Sequence, residues 1–275
     1  MKALEKVLLF QKADMYKEAI SKARPLSEQE VKNLQEYFKV GLTFSSNALE
    51  GNTLDITETK IILEDGITVE GKPIRDYYEA VGHAKAYDFM LNAAKIRPFE
   101  LTEELINRLH YLFYHAIDVD NAGGYRKVQN FITGTEYVPP SPAKIPDLMH
   151  SFVERMNEAK WKLHPIEYAA LLHKGLVDIH PYVDGNGRTA RLLMNLALVN
   201  EGYGVTIIPP VLRREYISTI SISQVKDHRN TDPFVCFIAE RVIETQKDYC
   251  RMLEISLPKE TVSIINMADI KFDEK

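Results

Sequence analysis

Cysteine is scarce in this sequence. Only Cys236 and Cys250 occur among 275 residues. Two thiols cannot build a disulfide framework or a cysteine-rich zinc site, and they are typical of a protein from a reducing compartment. Basic residues are not in excess either, since 34 Lys and Arg stand against 39 Asp and Glu, for a formal net charge of −5. This balance gives no general reason to expect a nucleic-acid-binding protein.

Long apolar runs are also missing. Near the N-terminus, residues 7–10 are apolar before charged residues return. A signal-peptide core needs about 7–15 apolar residues and a membrane-spanning helix about 20. We therefore expect no membrane association and a cytoplasmic location.

The remaining composition is that of an ordinary globular protein, with 45% hydrophobic and 27% charged residues. A chain of this length can bury roughly three quarters of its unfolded surface without disulfides. No repeat, low-complexity segment or linker interrupts it. We therefore expect one large domain with short additions at its ends.

Apolar residues recur mainly at helical spacing, which predicts a largely helical fold. Ser27 and Glu30 form a capping-box pattern before one such stripe. Thr57 and Gly66 are the expected cap and stop of a short helix. Further helices are predicted over residues 72–94, from Thr102 to the Gly123-Gly124 pair, over 145–156, from Pro165 to about His180, from about Arg188 to just before Gly202, and from Pro233 to about Leu253.

One segment departs from the helical pattern. Residues 125–132 are rich in β-prone side chains, and residues 135–138 follow a Gly-containing turn. This arrangement predicts a β-hairpin, which Pro139, Pro140 and Pro142 keep out of any larger sheet. The predicted fold class is all-α with a single hairpin.

Chemistry-bearing residues concentrate in residues 180–191, between two apolar helices. Gly185 and Gly187 allow the backbone to approach a ligand just before a helix N-terminus, where free N–H groups and the helix dipole favour an anion. Arg188 and Arg191 can point toward the same face. These features suit a polyphosphate. The stretch also contains a base that titrates near neutral pH and a hard oxygen ligand suited to Mg²⁺, namely His180 and Asp184.

Each of these residues also has an ordinary structural explanation when taken alone. A histidine before a proline commonly ends a helix, and a Gly-Asn-Gly sequence is commonly a turn. Their conjunction in twelve positions favours a functional site. The stretch is not a Walker P-loop, because the spacing differs and the Lys-Ser/Thr pair is absent. A histidine metal site formed by His164, His173 and His180 is a weaker alternative, because their spacing is unlike that of metal ligands.

The stretch resembles the signature of the Fic family, His-Pro-Phe-x-Asp/Glu-Gly-Asn-Gly-Arg-x-x-Arg. It matches every fixed position except one, where Tyr182 replaces the usual phenylalanine and adds a hydroxyl that needs a partner. The resemblance covers roughly residues 40–255. It implies a Fic-type helical bundle at 41–255, with an N-terminal helical extension at 1–40 and a C-terminal tail at 256–275.

The resemblance also implies an activity, the transfer of AMP from ATP to a Tyr, Thr or Ser hydroxyl of a protein, with release of pyrophosphate. His180 is then the general base and Asp184 holds Mg²⁺. The implied phosphate-binding residues are Gly185, Asn186, Gly187, Arg188 and Arg191. The hairpin resembles the family's flap, which docks the target main chain by strand addition, and its residues here are Phe131, Ile132, Thr133, Gly134, Thr135, Glu136, Tyr137 and Val138.

A second stretch, residues 46–52, is similar to the family's inhibitory motif, Ser/Thr-x-x-x-Glu-Gly/Asn. Ser46 and Glu50 occupy its two defining positions. The resemblance implies that Glu50 pairs with Arg191 and withholds it from the γ-phosphate. It thus predicts low basal transfer that Glu50→Gly relieves. In some relatives the same glutamate supports removal of AMP, and this alternative stays open here.

Other functions remain to be weighed. A Fic domain that transfers UMP, GMP or phosphocholine would use the same motif, and a non-catalytic interaction module is a more distant alternative. The expected partner is a protein of unknown identity, with self-modification and homodimer formation left open. No nucleic-acid partner is expected, because Arg213-Arg214 and the cluster at 226–229 are small basic clusters interpreted as solvated surface.

Overall fold

The computed structural model describes residues 2–23, 25–132, 135–225 and 230–256. Within these ranges the chain forms ten α-helices and two 3₁₀ turns and no β-strand, which confirms the all-α prediction. None of the described helices is long and apolar enough to span a membrane. The helices are α1 (Lys2–Ser21), α2 (Glu28–Ala48), α3 (Ile56–Asp65), α4 (Ile74–Ala93), α5 (Glu103–Tyr114), α6 (Ile145–Ala159), α7 (Pro165–Ile179), α8 (Asn186–Asn200), α9 (Arg213–Ile222) and α10 (Asp232–Met252).

Side-chain caps explain where several helices begin. At the start of α2, the Ser27 hydroxyl accepts the Glu30 N–H at 3.3 Å, and the Glu30 carboxylate accepts the Ser27 N–H at 2.8 Å, which confirms the predicted capping box. The prediction of Thr57 as a cap was wrong. Asp55, two residues before Thr57, caps α3 instead, because it forms a capping box with Glu58.

The helix ends also follow local chemistry. Helix α7 begins at Pro165 and ends at Ile179, as the position of Pro181 predicts. Helix α8 begins two residues before the predicted Arg188, because Gly185 takes a left-handed conformation with φ 78° and turns the chain into the helix there. Helix α5 ends at Tyr114, well before the Gly123-Gly124 pair that was expected to stop it.

The two helices that flank the 180–185 loop lie at the centre of the molecule. Helix α7 packs along α8, and α4 packs against α5 and α8. Leu172, Leu176, Leu192 and Leu196 are fully buried between them. Burial of one such side chain contributes about 1.5–3 kcal/mol. Both ends of the loop are therefore anchored in the most strongly stabilised part of the fold.

The N-terminal segment belongs to the same core. Helix α1 packs against α10, and Phe10, Ala13 and Tyr16 are buried in the main hydrophobic cluster. Helix α2 runs without interruption across residue 40. The division at that residue stays a prediction, and residues 257–275 of the predicted tail lie outside the described residues.

The expected hairpin does not form in the described residues. Residues 125–132 and 135–141 contain no strand, and the predicted turn, Thr133-Gly134, lies outside the described residues. Pro139 and Pro140 have no N–H to donate to a ladder. A side chain joins the two segments instead, since Nε2 of Gln129 donates to the Pro139 carbonyl at 3.0 Å. We call residues 125–132 and 135–141 the two flap arms.

Candidate active site

The loop between α7 and α8 begins with an unusual backbone conformation at His180. Its φ of 52° and ψ of 57° lie in the left-handed region, which non-glycine residues rarely adopt. Pro181 disfavours continuation of the helix, and the His180 N–H still bonds to the Leu176 carbonyl at 2.9 Å. Backbone outliers of this kind persist where surrounding contacts hold them, and they cluster at functional sites.

The imidazole of His180 is held in one tautomer. Its Nδ1 lies 3.3 Å from the Val177 carbonyl oxygen. A carbonyl only accepts, so Nδ1 carries the proton and Nε2 keeps a free lone pair. Burial lowers the pKa of His180 below its ordinary value, and although the bond to Val177 opposes this shift, the guanidinium of Arg126 lowers the pKa further. At neutral pH the side chain is therefore a base with one available nitrogen.

A reciprocal clamp shapes the loop that follows. The Asn186 Oδ1 accepts the Tyr182 N–H at 2.9 Å, and the Asn186 Nδ2 donates to the Tyr182 carbonyl at 2.9 Å. Asn130 adds bonds to the Tyr182 and Val183 carbonyls at 3.1 and 3.0 Å. The side chain of Asn186 thus holds the loop in place. The backbone N–H of Asn186, at the start of α8, stays available to bind an anion.

Tyr182 and His110 support the loop from below. The Tyr182 hydroxyl donates to Oδ1 of Asn107 at 2.8 Å, which supplies the partner that its extra hydroxyl requires. The His110 ring stacks on Tyr182 at a centroid distance of 3.7 Å. His110 Nδ1 accepts the Gly123 N–H, so the ring proton is on Nε2. Nε2 donates a hydrogen bond to the Asp184 carbonyl oxygen, 3.0 Å away. Burial lowers the pKa of His110 to about 4, which keeps this neutral tautomer.

The N-terminus of α8, predicted to bind an anion, lies against a carboxylate of the same chain. Gly187 has no β-carbon, and one placed there would collide with Oε1 of Glu50. A carboxylate oxygen therefore already lies against the main chain where the free amides and dipole of α8 favour negative charge.

Arg188 is 3% exposed and compensated by two carboxylates. Its Nη1 lies 2.9 Å from Glu79 Oε1, and its Nη2 lies 3.3 Å from Asp184 Oδ1. Arg75 joins the same network, 3.1 Å from Glu79 and 2.5 Å from Asp184. The guanidinium of Arg188 also stacks on the Phe113 ring at 4.6 Å. The network fixes Arg188 beside the α8 N-terminus.

Asp184 stays ionised at the rim of this network. Burial acts to raise its pKa, but Arg188, the Gly185 N–H and Arg75 outweigh that effect and lower it. Its side chain is 40% exposed. A single accessible carboxylate fits Mg²⁺, which commonly takes one or two carboxylates together with substrate phosphates and water. Among the described residues, no cluster of three or more His, Cys, Asp or Glu side chains is placed to hold a metal alone.

Arg191 is fully buried and fully engaged. Its Nε donates to the Ser46 hydroxyl at 2.9 Å, and its Nη2 donates to the Ser46 carbonyl at 2.8 Å and to Glu50 Oε1 at 2.7 Å. Its Nη1 donates to the Tyr216 hydroxyl at 3.2 Å. Ser46, Glu50 and Arg191, widely separated in sequence, thus meet at one point.

The Glu50 carboxylate is ionised in this arrangement. Burial acts to raise its pKa, but Arg191 and Arg188 outweigh that effect and lower it. Its side chain remains 35% exposed. The carboxylate therefore carries full negative charge at the position where two arginines and a helix N-terminus converge.

The flap residues flank this site. Phe131 is 78% exposed and Val138 58% exposed, so two apolar side chains face solvent. The Tyr137 hydroxyl donates to the Asp178 carbonyl at 2.7 Å, which ties the second arm to the end of α7. Thr133 and Gly134 lie outside the described residues.

The alternative metal site is wrong for the described residues. His164 bonds to Asp14 through Nε2 at 3.2 Å, and His173 bonds to the Tyr216 hydroxyl at 2.8 Å. Neither shares a partner with His180, and no metal-binding cluster contains them.

Sequence reasoning missed five residues that shape the site. Arg213 is exposed, in agreement with its interpretation as solvated surface, and its Nε also donates to the Leu49 carbonyl at 2.7 Å, which fixes the end of α2. A detectable signal existed only for Arg75 and Glu79, an oppositely charged pair four residues apart on a predicted helix. The five residues are Arg75, Glu79, Arg126, Arg213 and Tyr216.

Comparisons with known proteins agree with this geometry. The model of the Fic/DOC family matches residues 100–198. The protein adenylyltransferase Fic of Drosophila grimshawi is 38% identical over 198 residues, which are 72% of this chain and 40% of that protein. The chain thus spans less than half the length of that relative.

Solved structures show the same fold. Fic-1 (residues 134–508) from C. elegans superposes with a TM-score of 0.81 at 27% identity, over 92% of this chain and 73% of that one. A Fic domain containing signaling protein from Bacteroides thetaiotaomicron gives a TM-score of 0.78 at 29% identity, over 91% and 98%. These matches confirm the resemblance seen in residues 180–191, and the chain contains a Fic/DOC family domain at residues 100–198.

Proposed function

We propose that this protein is a protein adenylyltransferase, which transfers AMP from ATP to a protein hydroxyl. One observation carries the proposal: the free Nε2 of a neutral His180 lies at the head of a clamped loop that leads directly into an anion-binding helix N-terminus. A base next to a phosphate site is the arrangement that hydroxyl-to-phosphate transfer needs. Relatives named protein adenylyltransferase support the same activity, and this chain covers about two fifths of their length.

Each site residue then has a distinct part. Nε2 of His180 takes the proton of the target hydroxyl, whose oxygen attacks the α-phosphorus of ATP. The bond from that phosphorus to the bridging oxygen breaks, and pyrophosphate leaves. The amides of Asn186 and Gly187 hold phosphate oxygens, and Arg188 and Arg191 neutralise the outer phosphates. Gly185 turns the chain into α8, and its N–H donates to Asp184 Oδ1 at 2.6 Å. Positioning and fixed electrostatics supply most of the catalysis in such a transfer.

Asp184 would hold Mg²⁺ at the rim of the site. The ion, when bound, neutralises phosphate oxygens and the leaving pyrophosphate. The exposed, ionised carboxylate fits this part. Arg75 must give up part of its contact with Asp184 for the carboxylate to serve as a ligand.

We further propose that Ser46 and Glu50 hold the enzyme in an autoinhibited state. The Glu50 carboxylate accepts a hydrogen bond from the Arg191 guanidinium and lies against the start of α8. An ATP phosphate would need the same groups. Basal transfer is therefore slow until this segment is displaced.

Other donors are the second candidate. The site residues assigned above act on phosphate groups and on the target hydroxyl, so a Fic domain that transfers UMP, GMP or phosphocholine would use the same residues. The curated relatives favour AMP through their printed name.

A labelling experiment tests the proposal. Wild type, Glu50→Gly and the double variant Glu50→Gly/His180→Ala are incubated with α-labelled ATP, Mg²⁺ and cell lysate. Glu158→Gly and His150→Ala, both exposed positions, serve as matched controls. We expect strong protein label with Glu50→Gly and a loss of about 10²–10⁴ when His180 is also replaced.

Other outcomes would redirect the proposal. Label from UTP, GTP or CDP-choline but not from ATP would replace AMP by another transferred group. Label that survives the loss of His180 would refute the assigned base. If no donor labels any protein, including the enzyme itself, the chain is a non-catalytic interaction module.

A further inference from the structure

Arg126 is a buried arginine that the mechanism above does not use. It lies on the first flap arm, 2% exposed. Its guanidinium donates three hydrogen bonds, all to main-chain carbonyls: Nε to His180 at 2.8 Å, Nη1 to Val128 at 2.8 Å and Nη2 to Pro140 at 2.5 Å. A buried arginine normally needs a carboxylate partner. Here carbonyl dipoles take that place.

These bonds join three separate segments. The His180 carbonyl belongs to the catalytic loop, the Val128 carbonyl to the first flap arm and the Pro140 carbonyl to the second. The backbone N–H of Arg126 adds a fourth bond, to the Pro181 carbonyl at 2.8 Å. One residue thus fastens both flap arms to the residue whose imidazole is the proposed base.

The bond to the His180 carbonyl also bears on the local backbone. His180 takes the left-handed conformation, at φ 52°, that glycine usually supplies at a helix end, and a side chain makes this conformation costly. The Arg126 guanidinium supplies a charged donor for the His180 carbonyl oxygen. Charged hydrogen bonds are stronger than neutral ones, so this contact opposes relaxation of the strained backbone.

We propose that Arg126 is a positioning residue that couples the two flap arms to the His180 backbone, so that docking of a target main chain on the flap and orientation of the base depend on each other. The inference rests on the proposed function for the role of His180, while the physical coupling stands on the contacts alone. A target that pulls the flap arms away from Arg126 would displace the His180 imidazole. A target that keeps the arms in contact with Arg126 would hold the imidazole in place. The coupling gives the enzyme a way to discriminate among targets by backbone fit.

Hydrogen exchange tests the coupling without any need for activity. Arg126→Gln removes the bridging guanidinium, Arg126→Lys keeps the charge but not the three-way geometry, and Arg155→Gln on the exposed face of α6 is the control. In Arg126→Gln we expect exchange to accelerate together, by about tenfold, in residues 125–132, 135–141 and 176–184. Arg126→Lys should lie between this variant and wild type, and α1 and α10 should be unchanged.

An NMR titration of the His180 imidazole adds a signature that a merely structural residue would not give. Arg126 lowers the pKa of His180, while Glu50 and Asp184, the carboxylates that act on it among the described residues, raise it. Arg126→Gln should therefore raise that pKa, and Arg126→Lys should leave it close to wild type.

The two hypotheses fail in different ways. Acceleration confined to residues 125–132, or wild-type exchange in both Arg126 variants, would overturn the coupling. If Arg126→Gln does not fold, the exchange of Arg126→Lys decides, because joint acceleration in residues 125–132, 135–141 and 176–184 supports the coupling and wild-type exchange overturns it. Absence of any nucleotide transfer by wild type and Glu50→Gly would refute the proposed function, while the exchange result would stand by itself.

Discussion

The Oε1 oxygen of Glu50 lies 2.7 Å from Nη2 of Arg191, and the same oxygen lies against the main chain of Gly187 at the start of α8. One carboxylate thus neutralises both a buried guanidinium and a helix N-terminus. If ATP phosphates bind to the same groups, removal of the Glu50 carboxylate should change the affinity for ATP. The contacts of the residues around Glu50 lead to further predictions.

Glu50→Gly should bind ATP more tightly than wild type. Hydrogen bonds to charged groups contribute about 1.5–3 kcal/mol, which corresponds to about 10- to 100-fold in affinity. Calorimetry with a non-hydrolysable ATP analogue and Mg²⁺ measures the difference. Glu50→Gln, which keeps the shape but not the charge, should be intermediate. Equal affinities in all three proteins would show that Glu50 does not compete with phosphate.

The free energy of unfolding should fall steeply in acid. His83 and His110 are buried and neutral, and burial lowers their pKa values to about 3 and about 4, against an ordinary value of 6.5. The unfolded chain therefore binds more protons below pH 6.5, and stability is lost as pH falls from 6.5 toward 4. Each histidine contributes about 1.4 kcal/mol per pH unit there.

Urea unfolding at pH 7, 6 and 5 checks this acid dependence. His173, whose pKa burial also lowers, acts in the same direction, whereas Glu50 and Asp184, whose pKa values are lowered from 4.5 and 3.8, add to the loss only at lower pH. His150→Gln, which alters an exposed side chain, should keep the wild-type slope. His110→Gln should reduce it. Constant stability between pH 7 and 5 would mean that these rings titrate freely in the folded state.

Tyr182→Phe should destabilise the protein although it restores the usual residue of the Fic signature. The change keeps the ring on His110 but removes the donor to Oδ1 of Asn107, which is half-buried. We expect a loss of about 0.5–1.5 kcal/mol by chemical denaturation. Tyr37→Phe, at an exposed position, should cost much less. A neutral Tyr182→Phe would show that Asn107 finds another donor.

Glu79→Ala should cost more stability than any surface charge. It leaves Arg188 buried without its nearest carboxylate, which lies 2.9 Å away. Loss of one partner from a buried ion pair typically costs about 3–5 kcal/mol. The matched control is Glu64→Ala, since Glu64 pairs with Lys60 at 3.7 Å on the surface of α3 and should change stability by less than about 1 kcal/mol. Similar losses in the two variants, measured in urea, would contradict the compensation argument.

Local signals made most of the fold predictable. Caps such as Ser27 and Thr102, and the break before Pro181, leave marks within a few residues, so these helix limits followed from the sequence. Asp55 was missed because Thr57 offered an equally plausible cap nearby. The predicted hairpin is not seen in residues 125–132 and 135–141, and Thr133 and Gly134 of its turn lie outside the described residues.

The candidate site was predictable only where it is contiguous. Residues 180–191 carry their chemistry within one segment, so the resemblance could identify them. Tyr216 and Arg126 act through partners distant in the chain, and neither has a pattern of its own. Contacts of this kind arise from the packing of α7, α8 and α9, which periodicity does not specify.

The place of Glu50 has a consequence in genetic terms. A side chain at Gly187 or a change of Arg191 would dislodge the Glu50 carboxylate, which we propose to be inhibitory, but each would also remove a group that we propose to bind phosphate. A selection for gain-of-function alleles should therefore recover changes in α2 and the turn after it, and none in the first turn of α8. Within this pair of elements, release from the proposed inhibition can be inherited only through the segment that imposes it.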